Sequence, residues 1–147
     1  MQTQADLQLE FDVPVSAAHA YAAISRVREW WIRDTEGETA ALGGSFTVRF
    51  NNAKDFVRFT VTDALPGARY VWHVDDCFLP WFEDKTEWNG TDVIFDIAPA
   101  PGGSSVRMVH RGLTPDVECY NACTAGWEKY FMQSLRQLIE SGAGTPQ

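Results

Sequence analysis

The chain has 147 residues, 45% of them hydrophobic and 22% charged, with a formal net charge of −8. That length and mixture describe one globular domain able to bury about 70% of its unfolded surface, and they argue against a disordered chain. The acidic balance argues against a phosphate-backbone partner, so no nucleic acid is expected, and it disfavours anionic membrane surfaces.

Three cysteines (Cys77, Cys119, Cys123) do not make a disulfide framework and read as reduced thiols of a cytoplasmic protein. The opening "MQTQADLQLE" has neither a basic region nor an apolar run, so a signal peptide is not expected. No apolar stretch approaches the roughly 20 residues of a membrane span, so membrane insertion is not expected either. Six Trp, nine Phe and four Tyr are a heavy aromatic load. Such side chains fill a solid core or wall a ligand cavity, and composition alone leaves both readings open.

In chain order, "DLQLEFDV" (6–13) alternates Leu7, Leu9, Phe11 and Val13 against polar residues, the pattern of a half-buried strand that Pro14 ends. Ser16 is a suitable N-cap for the helix "AAHAYAAI", and a second short helix is predicted at "VREWWI" (27–32). "ALGGSF" breaks the helix and leads into the strand "SFTVRF" (45–50), which sets Phe46, Val48 and Phe50 on one face. After a turn at "NNAKD", the strand "FVRFTVTD" (56–63) groups Val57, Phe59 and Val61. "LPG" turns the chain again into "ARYVWHVDD" (68–76), with Tyr70, Trp72 and Val74 together. "CFLPWFED" (77–84) reads as an aromatic-rich loop. Within "KTEWNGTDVIFDIAP" (85–99), Asn89-Gly90 is either a tight hairpin turn or a bulge in one long strand, while Val93, Phe95 and Ile97 alternate against acids. "SSVRMVHRGL" (104–113) is the last strand, with Val106, Met108 and His110 on one face.

A final helix is predicted from "TPDVE", capped by Thr114 or Asp116, to about Glu140. Tyr120, Thr124, Trp127, Phe131, Leu135 and Leu138 recur at helical spacing on its buried face. Gly126 marks either a break between two helical pieces or a close approach to the sheet. The domain spans 1–142, and residues 143–147 read as a flexible tail. Consecutive strands with short turns make an antiparallel meander, and the long helix is the element available to cover its apolar face. The fold class is α+β, a curved antiparallel sheet of six or seven strands wrapped around a long C-terminal helix, with two short helices after the first strand.

That order resembles the START-like helix-grip superfamily (SRPBCC, Bet v 1-like), in the branch of the Hsp90 ATPase activator homologues. The resemblance rests on "VPVSAAHAYAAI", "WWI", "GGSF", "WNGTDVIFDIAP", "VRMVHRGL" and "GWEKYFMQSLRQLIESG", and it spans residues 6–142. It implies a cavity for an apolar or aromatic small molecule between sheet and helix. Members include lipid carriers, polyketide cyclases, resistance proteins that bind polyketide-like toxins, and Hsp90 co-chaperone domains. The resemblance therefore implies binding of a hydrophobic, aromatic or polyketide- or lipid-like molecule. A cyclase-type enzyme using the same cavity is the alternative, and an Hsp90-binding module is a weaker one. The reading leans away from an enzyme, requires no cofactor and leaves a homodimer open.

Cavity walls are then expected from Phe46, Val48, Phe50, Val57, Phe59, Tyr70, Trp72, Phe95, Met108, Tyr120, Trp127 and Phe131, with Trp30 or Trp31, and Trp81 with Phe82, gating the mouth. His110 shares the inward face, where it would bond a ligand, act as an acid/base group, or be a core histidine bonded to backbone or to a helix side chain such as Tyr120. His73 is expected outside because Trp72 is inside. His19 reads as a surface or packing residue. Neither "HVDD" nor Cys119 and Cys123 with Cys77 offers a convincing ligand set, so no metal is expected. No nucleophile elbow, phosphate loop, zinc-protease motif or dinucleotide fingerprint is present.

Overall fold

Period-two alternation becomes one seven-stranded antiparallel sheet in the computed structural model, which describes residues 5–50 and 54–147. The strands are β1 (Leu7–Val13), β2 (Thr35–Gly37), β3 (Ser45–Arg49), β4 (Phe56–Leu65), β5 (Arg69–Phe78), β6 (Asp92–Ala100) and β7 (Gly103–Arg111). Their spatial order is β1-β7-β6-β5-β4-β3-β2, so β2 to β7 form a meander and β1 closes the far edge on β7. Helices α1 (Ala17–Ile24) and α2 (Val27–Trp30) lie between β1 and β2. The C-terminal helical run comprises α3 (Tyr120–Trp127), a π-helical segment (Glu128–Leu135) and α4 (Arg136–Ser141). This is the α+β helix-grip arrangement expected from the sequence.

Register carries one apolar row across the sheet. Val48 lies opposite Val57, Phe59 opposite Val74, Trp72 opposite Val93, Phe95 opposite Met108, and Val93 opposite His110. All of these are buried. Onto this row pack Trp30, Trp31, Trp127, Phe131, Leu135 and Leu138 from the helices.

Several elements depart from the sequence reading. Strand β2 was not foreseen, because Thr35-Glu36-Gly37 has no apolar alternation and pairs with Val48–Phe46 through its backbone. The last helix begins at Tyr120, not near Thr114. Residues 114–120 make successive turns (Val117 N–H to Thr114 O, Tyr120 N–H to Val117 O), and the Thr114 hydroxyl donates to the Asp116 carboxylate. Such local side-chain bonds compete with helix. Asn89-Gly90 is neither a two-residue hairpin nor a bulge: it closes a long loop (79–91), with Gly90 N–H bonded to Val74 O at 3.0 Å. Residues Glu128–Leu135 are π-helical, which the sequence does not announce, and they bury Ser134 beside Phe131 and Leu135. The turn expected at "NNAKD" falls partly on residues 51–53, and the leader reading partly on residues 1–4, both outside the described residues.

Residues after the last helix make hydrogen bonds back to the body of the fold. Gly142 stops the helix in the left-handed region (φ 85°) and donates to Leu138 O. At Gly144 a Cβ would lie 2.5 Å from Glu29 O, so only glycine lets the chain pass there. Thr145 N–H donates to Ser134 Oγ, Gln147 N–H donates to Trp31 O, and Arg33 N–H donates to Gln147 O.

Phe131 is the centre of helix-to-sheet packing, its ring 5.0 Å from Phe11 and 6.1 Å from Phe95. Replacing it with alanine is expected to cost about 3–5 kcal/mol in denaturant unfolding. A loss below about 1 kcal/mol would show that the helix is not anchored there.

Candidate ligand cavity

The polar centre of the molecule is His110, on β7 and fully buried. The Trp127 indole N–H donates to its Nδ1 at 3.1 Å, and its Nε2 lies 3.0 Å from Thr91 Oγ1. Indole only donates, so Nδ1 is the acceptor and the ring proton sits on Nε2, pointing at Thr91. The Thr91 hydroxyl in turn donates a hydrogen bond to Trp88 O at 2.7 Å. Both imidazole nitrogens are thus bonded within the fold, and the ring has no free nitrogen for a ligand or for proton transfer. Burial pushes the His110 pKa down to about 3, against a smaller opposing effect of Asp92. The helix partner of the histidine is Trp127, not Tyr120.

Trp88 stands edge-on to His110, with ring centres 4.7 Å apart, and stacks on Trp127 at 6.0 Å and 12°. Its indole N–H points at Cys119 Sγ, 3.3 Å away. Trp31 also meets Trp127, with ring centres 4.9 Å apart. Beside these three rings is an apolar cavity of about 240 Å³. Leu79, Trp81, Phe82 and Trp88 from the 79–91 loop, Trp31, Phe50, and Ala122, Cys123, Gly126, Trp127 and Tyr130 from the helix line it, with Gln147 of the tail. A Cβ at Gly126 would meet nothing within 4 Å. Gly126 is therefore not a point of close approach to the sheet, and it lies one residue before the end of α3, where the helical run continues as the π-helical segment. Gly126 leaves the cavity wall open.

A reciprocal carboxylate clasp fixes the loop over the cavity. Glu87 accepts the backbone N–H groups of Glu118 and Cys119, both at 2.9 Å, where the helix start would leave them unpaired. Glu118 in turn accepts the N–H groups of Asp84 and Glu83, which hold its carboxyl below the usual range.

Of the residues expected at the cavity walls and mouth, Trp31, Phe50, Trp81, Phe82 and Trp127 line the cavity, with Trp81 half-exposed at its rim. Trp30, Phe46, Val48, Val57, Phe59, Tyr70, Trp72, Phe95, Met108, His110 and Phe131 pack into the solid interior instead. Tyr120 is half-buried against that core. Leu79, Trp88, Ala122, Cys123, Gly126, Tyr130 and Gln147 were not anticipated. The readable signal was the small-residue flank of the helix, Ala122 and Gly126 four apart, facing an aromatic loop.

Cys119 and Cys123 form a disulfide, correcting the expectation of reduced thiols. One helical turn sets their Cα atoms 5.5 Å apart, within the range a disulfide spans. Cys77 remains a buried free thiol. His73 lies on the outer side of the sheet, paired with Asp92 at 2.9 Å, and Arg111 pairs with the same carboxylate at 2.6 Å. His19 Nε2 contacts Ile139 O at 3.3 Å. Among the described residues there is no cluster of three or more metal-ligating side chains, and no helix is long and apolar enough to cross a membrane.

Residues 15–140 match the family model described as "Activator of Hsp90 ATPase homolog 1-like protein". No curated protein sequence matches the chain significantly. Among solved structures, it is similar to the Aha1 dimer from Colwellia psychrerythraea, at 21% identity and a TM-score of 0.75, covering 95% of this chain and 98% of that one. It is also similar to DynU16, a putative protein in the dynemicin biosynthetic locus, at 16% identity and a TM-score of 0.70, covering 97% of this chain but 49% of that one. CalU16 from Micromonospora echinospora aligns at 15% identity and a TM-score of 0.65, covering 94% and 75%. At these identities the likeness establishes the fold alone.

His110 makes stability depend on pH. The unfolded chain takes up this proton near pH 6.5 and the folded chain only near 3. Its contribution is therefore fully present above about pH 6.5 and declines as pH falls toward 3, by at most about 1.4 kcal/mol per pH unit. His110→Gln is expected to flatten that slope between about pH 6.5 and 5 in denaturant titrations. Parallel slopes for variant and wild type would contradict the buried neutral histidine.

Proposed function

We propose that this chain, which belongs to the activator of Hsp90 ATPase homolog 1-like family, binds a compact apolar aromatic molecule in the cavity between α3 and the 79–91 loop, in the cytoplasm. The observation carrying this reading is the wall itself. Three tryptophans, Trp31, Trp88 and Trp127, are arranged around about 240 Å³ of space that Gly126 leaves unfilled. Each 100 Å² of apolar ligand surface removed from water there is worth about 2.5 kcal/mol. The volume favours fused rings over a long acyl chain, since drug-sized sites are typically about 300–1,000 Å³. Polar groups available to orient a ligand are the Tyr130 hydroxyl and the Gln147 amide, which lie 3.5 Å apart.

A cyclase-type enzyme would use the same cavity, but His110, its expected acid/base group, has both nitrogens engaged by Trp127 and Thr91. A protein-interaction module would present an exposed apolar patch. The large exposed apolar side chains among the described residues are Leu42, Leu65 and Trp81, and the last belongs to the cavity rim. Ligand binding is therefore the better-supported reading.

The test is quenching of tryptophan fluorescence in the full chain during titration with neutral naphthalene, anthraquinone and fatty-acyl compounds. Saturable quenching by the fused-ring compounds is expected. Gly126→Phe should abolish it while retaining the fold, and Gly126→Ala should raise stability by up to about 1 kcal/mol. No quenching by any compound, or equal binding by Gly126→Phe, would overturn the proposal.

A further inference from the structure

We propose that Cys119 and Cys123 are a reversible dithiol–disulfide site whose oxidation state sets the width of the adjoining apolar cavity. The coupling rests on the cavity reading above. The thiol chemistry does not.

The disulfide encloses only Tyr120, Asn121 and Ala122, within a turn already closed by the Cys123 N–H to Cys119 O bond at 2.7 Å. A cross-link within one helical turn ties no separate elements together, and so short a loop gives the small end of the stabilisation a disulfide supplies. Structural reinforcement is therefore a poor account of the pair. Its surroundings suggest another. Cys119 is fully enclosed, with the Trp88 indole N–H directed at its sulfur. Cys123 is half-buried and forms part of the cavity wall. Trp88 belongs to the same wall.

Exposure assigns the roles. Starting from the dithiol, the Cys123 thiolate attacks one sulfur of a low-molecular-weight disulfide, and one thiolate of that reagent leaves with the electron pair of the broken S–S bond. The Cys119 thiolate then attacks Cys123 Sγ and expels the second thiolate. Two protons are released by the cysteines and taken up by the two leaving thiolates, and the incoming disulfide is the species reduced. A dithiol reductant reverses both steps. Cys77 stays outside this exchange: it is buried, its Sγ lies 3.9 Å from Lys85 O, and burial pushes its thiol up, away from the reactive thiolate. In a cytoplasmic setting the pair would rest reduced and oxidise transiently, as sensing cysteines do.

Reduction obliges the two sulfurs to separate to non-bonded contact. Cys119 is enclosed and held by Trp88, so the movement falls on Cys123, whose open side is the cavity. The reduced protein thus has the narrower cavity and the oxidised protein the wider one.

The experiment equilibrates the full chain in buffers spanning reduced to oxidised glutathione, alkylates free thiols, and counts them by peptide mass spectrometry. In parallel it measures the Kd of the neutral apolar probe N-phenyl-1-naphthylamine. The expected result is reversible loss of the Cys119 and Cys123 thiols, with Cys77 constant, and a Kd at least about threefold weaker in the reduced state. Cys119→Ser/Cys123→Ser, or Cys123→Ser alone if the double variant does not fold, should hold one Kd in every buffer. A pair that stays alkylated throughout, or that resists excess dithiothreitol, overturns the site. A probe bound equally in both states overturns the coupling alone. A probe bound in neither state overturns the cavity reading and the coupling with it, leaving the thiol count to judge the exchange.

Discussion

The bond from the Trp127 indole to His110 Nδ1 is the constraint on which the site depends. A neutral imidazole inside an apolar sheet-helix interface is tolerated only if each of its nitrogens has a partner, because an unpaired buried polar group costs about 1–3 kcal/mol. Trp127 meets one nitrogen from the helix and Thr91 meets the other from the end of the 79–91 loop. The chain continues through the Thr91 hydroxyl to the Trp88 carbonyl. One bonded series therefore fixes the tautomer of the histidine, the orientation of Trp127, and the backbone position of the loop tryptophan stacked on it. The cavity wall is a by-product of satisfying this single residue.

The rest of the interior is solid. Trp30, Trp72, Phe46, Phe59 and Phe95 close on one another, with the centres of neighbouring rings 4.7–6.3 Å apart. Empty space appears where small residues replace large ones on the helix, at Ala122, Cys123 and Gly126, opposite the 79–91 loop. That loop does not collapse into the gap because its backbone is clasped to the helix start by Glu87 and Glu118. Carboxylates accepting backbone N–H groups are among the stronger neutral-to-charged hydrogen bonds. The cavity thus has a rigid aromatic floor and a roof pinned at one edge.

Alternation made the sheet legible in the sequence. Val57, Phe59, Val61, Val93, Phe95, Val106 and Met108 face the core as period-two reading places them. Helical spacing likewise placed Trp127, Phe131, Leu135 and Leu138 on the buried stripe. What escaped depends on contacts between distant segments. No local pattern discloses that Glu87 would meet the amides of Glu118 and Cys119, so the helix start was misplaced. The edge strand Thr35–Gly37 exists only because Phe46–Val48 offers it a backbone to pair with. Trp88 sits in a loop with no periodicity to orient it, and Gln147 reaches the cavity only because Gly144 lets the tail pass close to α2. The π-helical form of Glu128–Leu135 leaves that buried spacing intact and so gives no sign of itself in the sequence. For the cavity, aromatic content pointed to the right residue types but not to which rings close on each other and which leave space.

The most direct test of this account is the state of the His110 ring, read by long-range ¹H–¹⁵N correlation NMR from about pH 7 to about pH 5. The account predicts a neutral imidazole throughout, protonated on Nε2, with Nδ1 accepting a hydrogen bond from the Trp127 indole. An imidazole that titrates with an ordinary midpoint near 6.5, or that carries its proton on Nδ1, would contradict it.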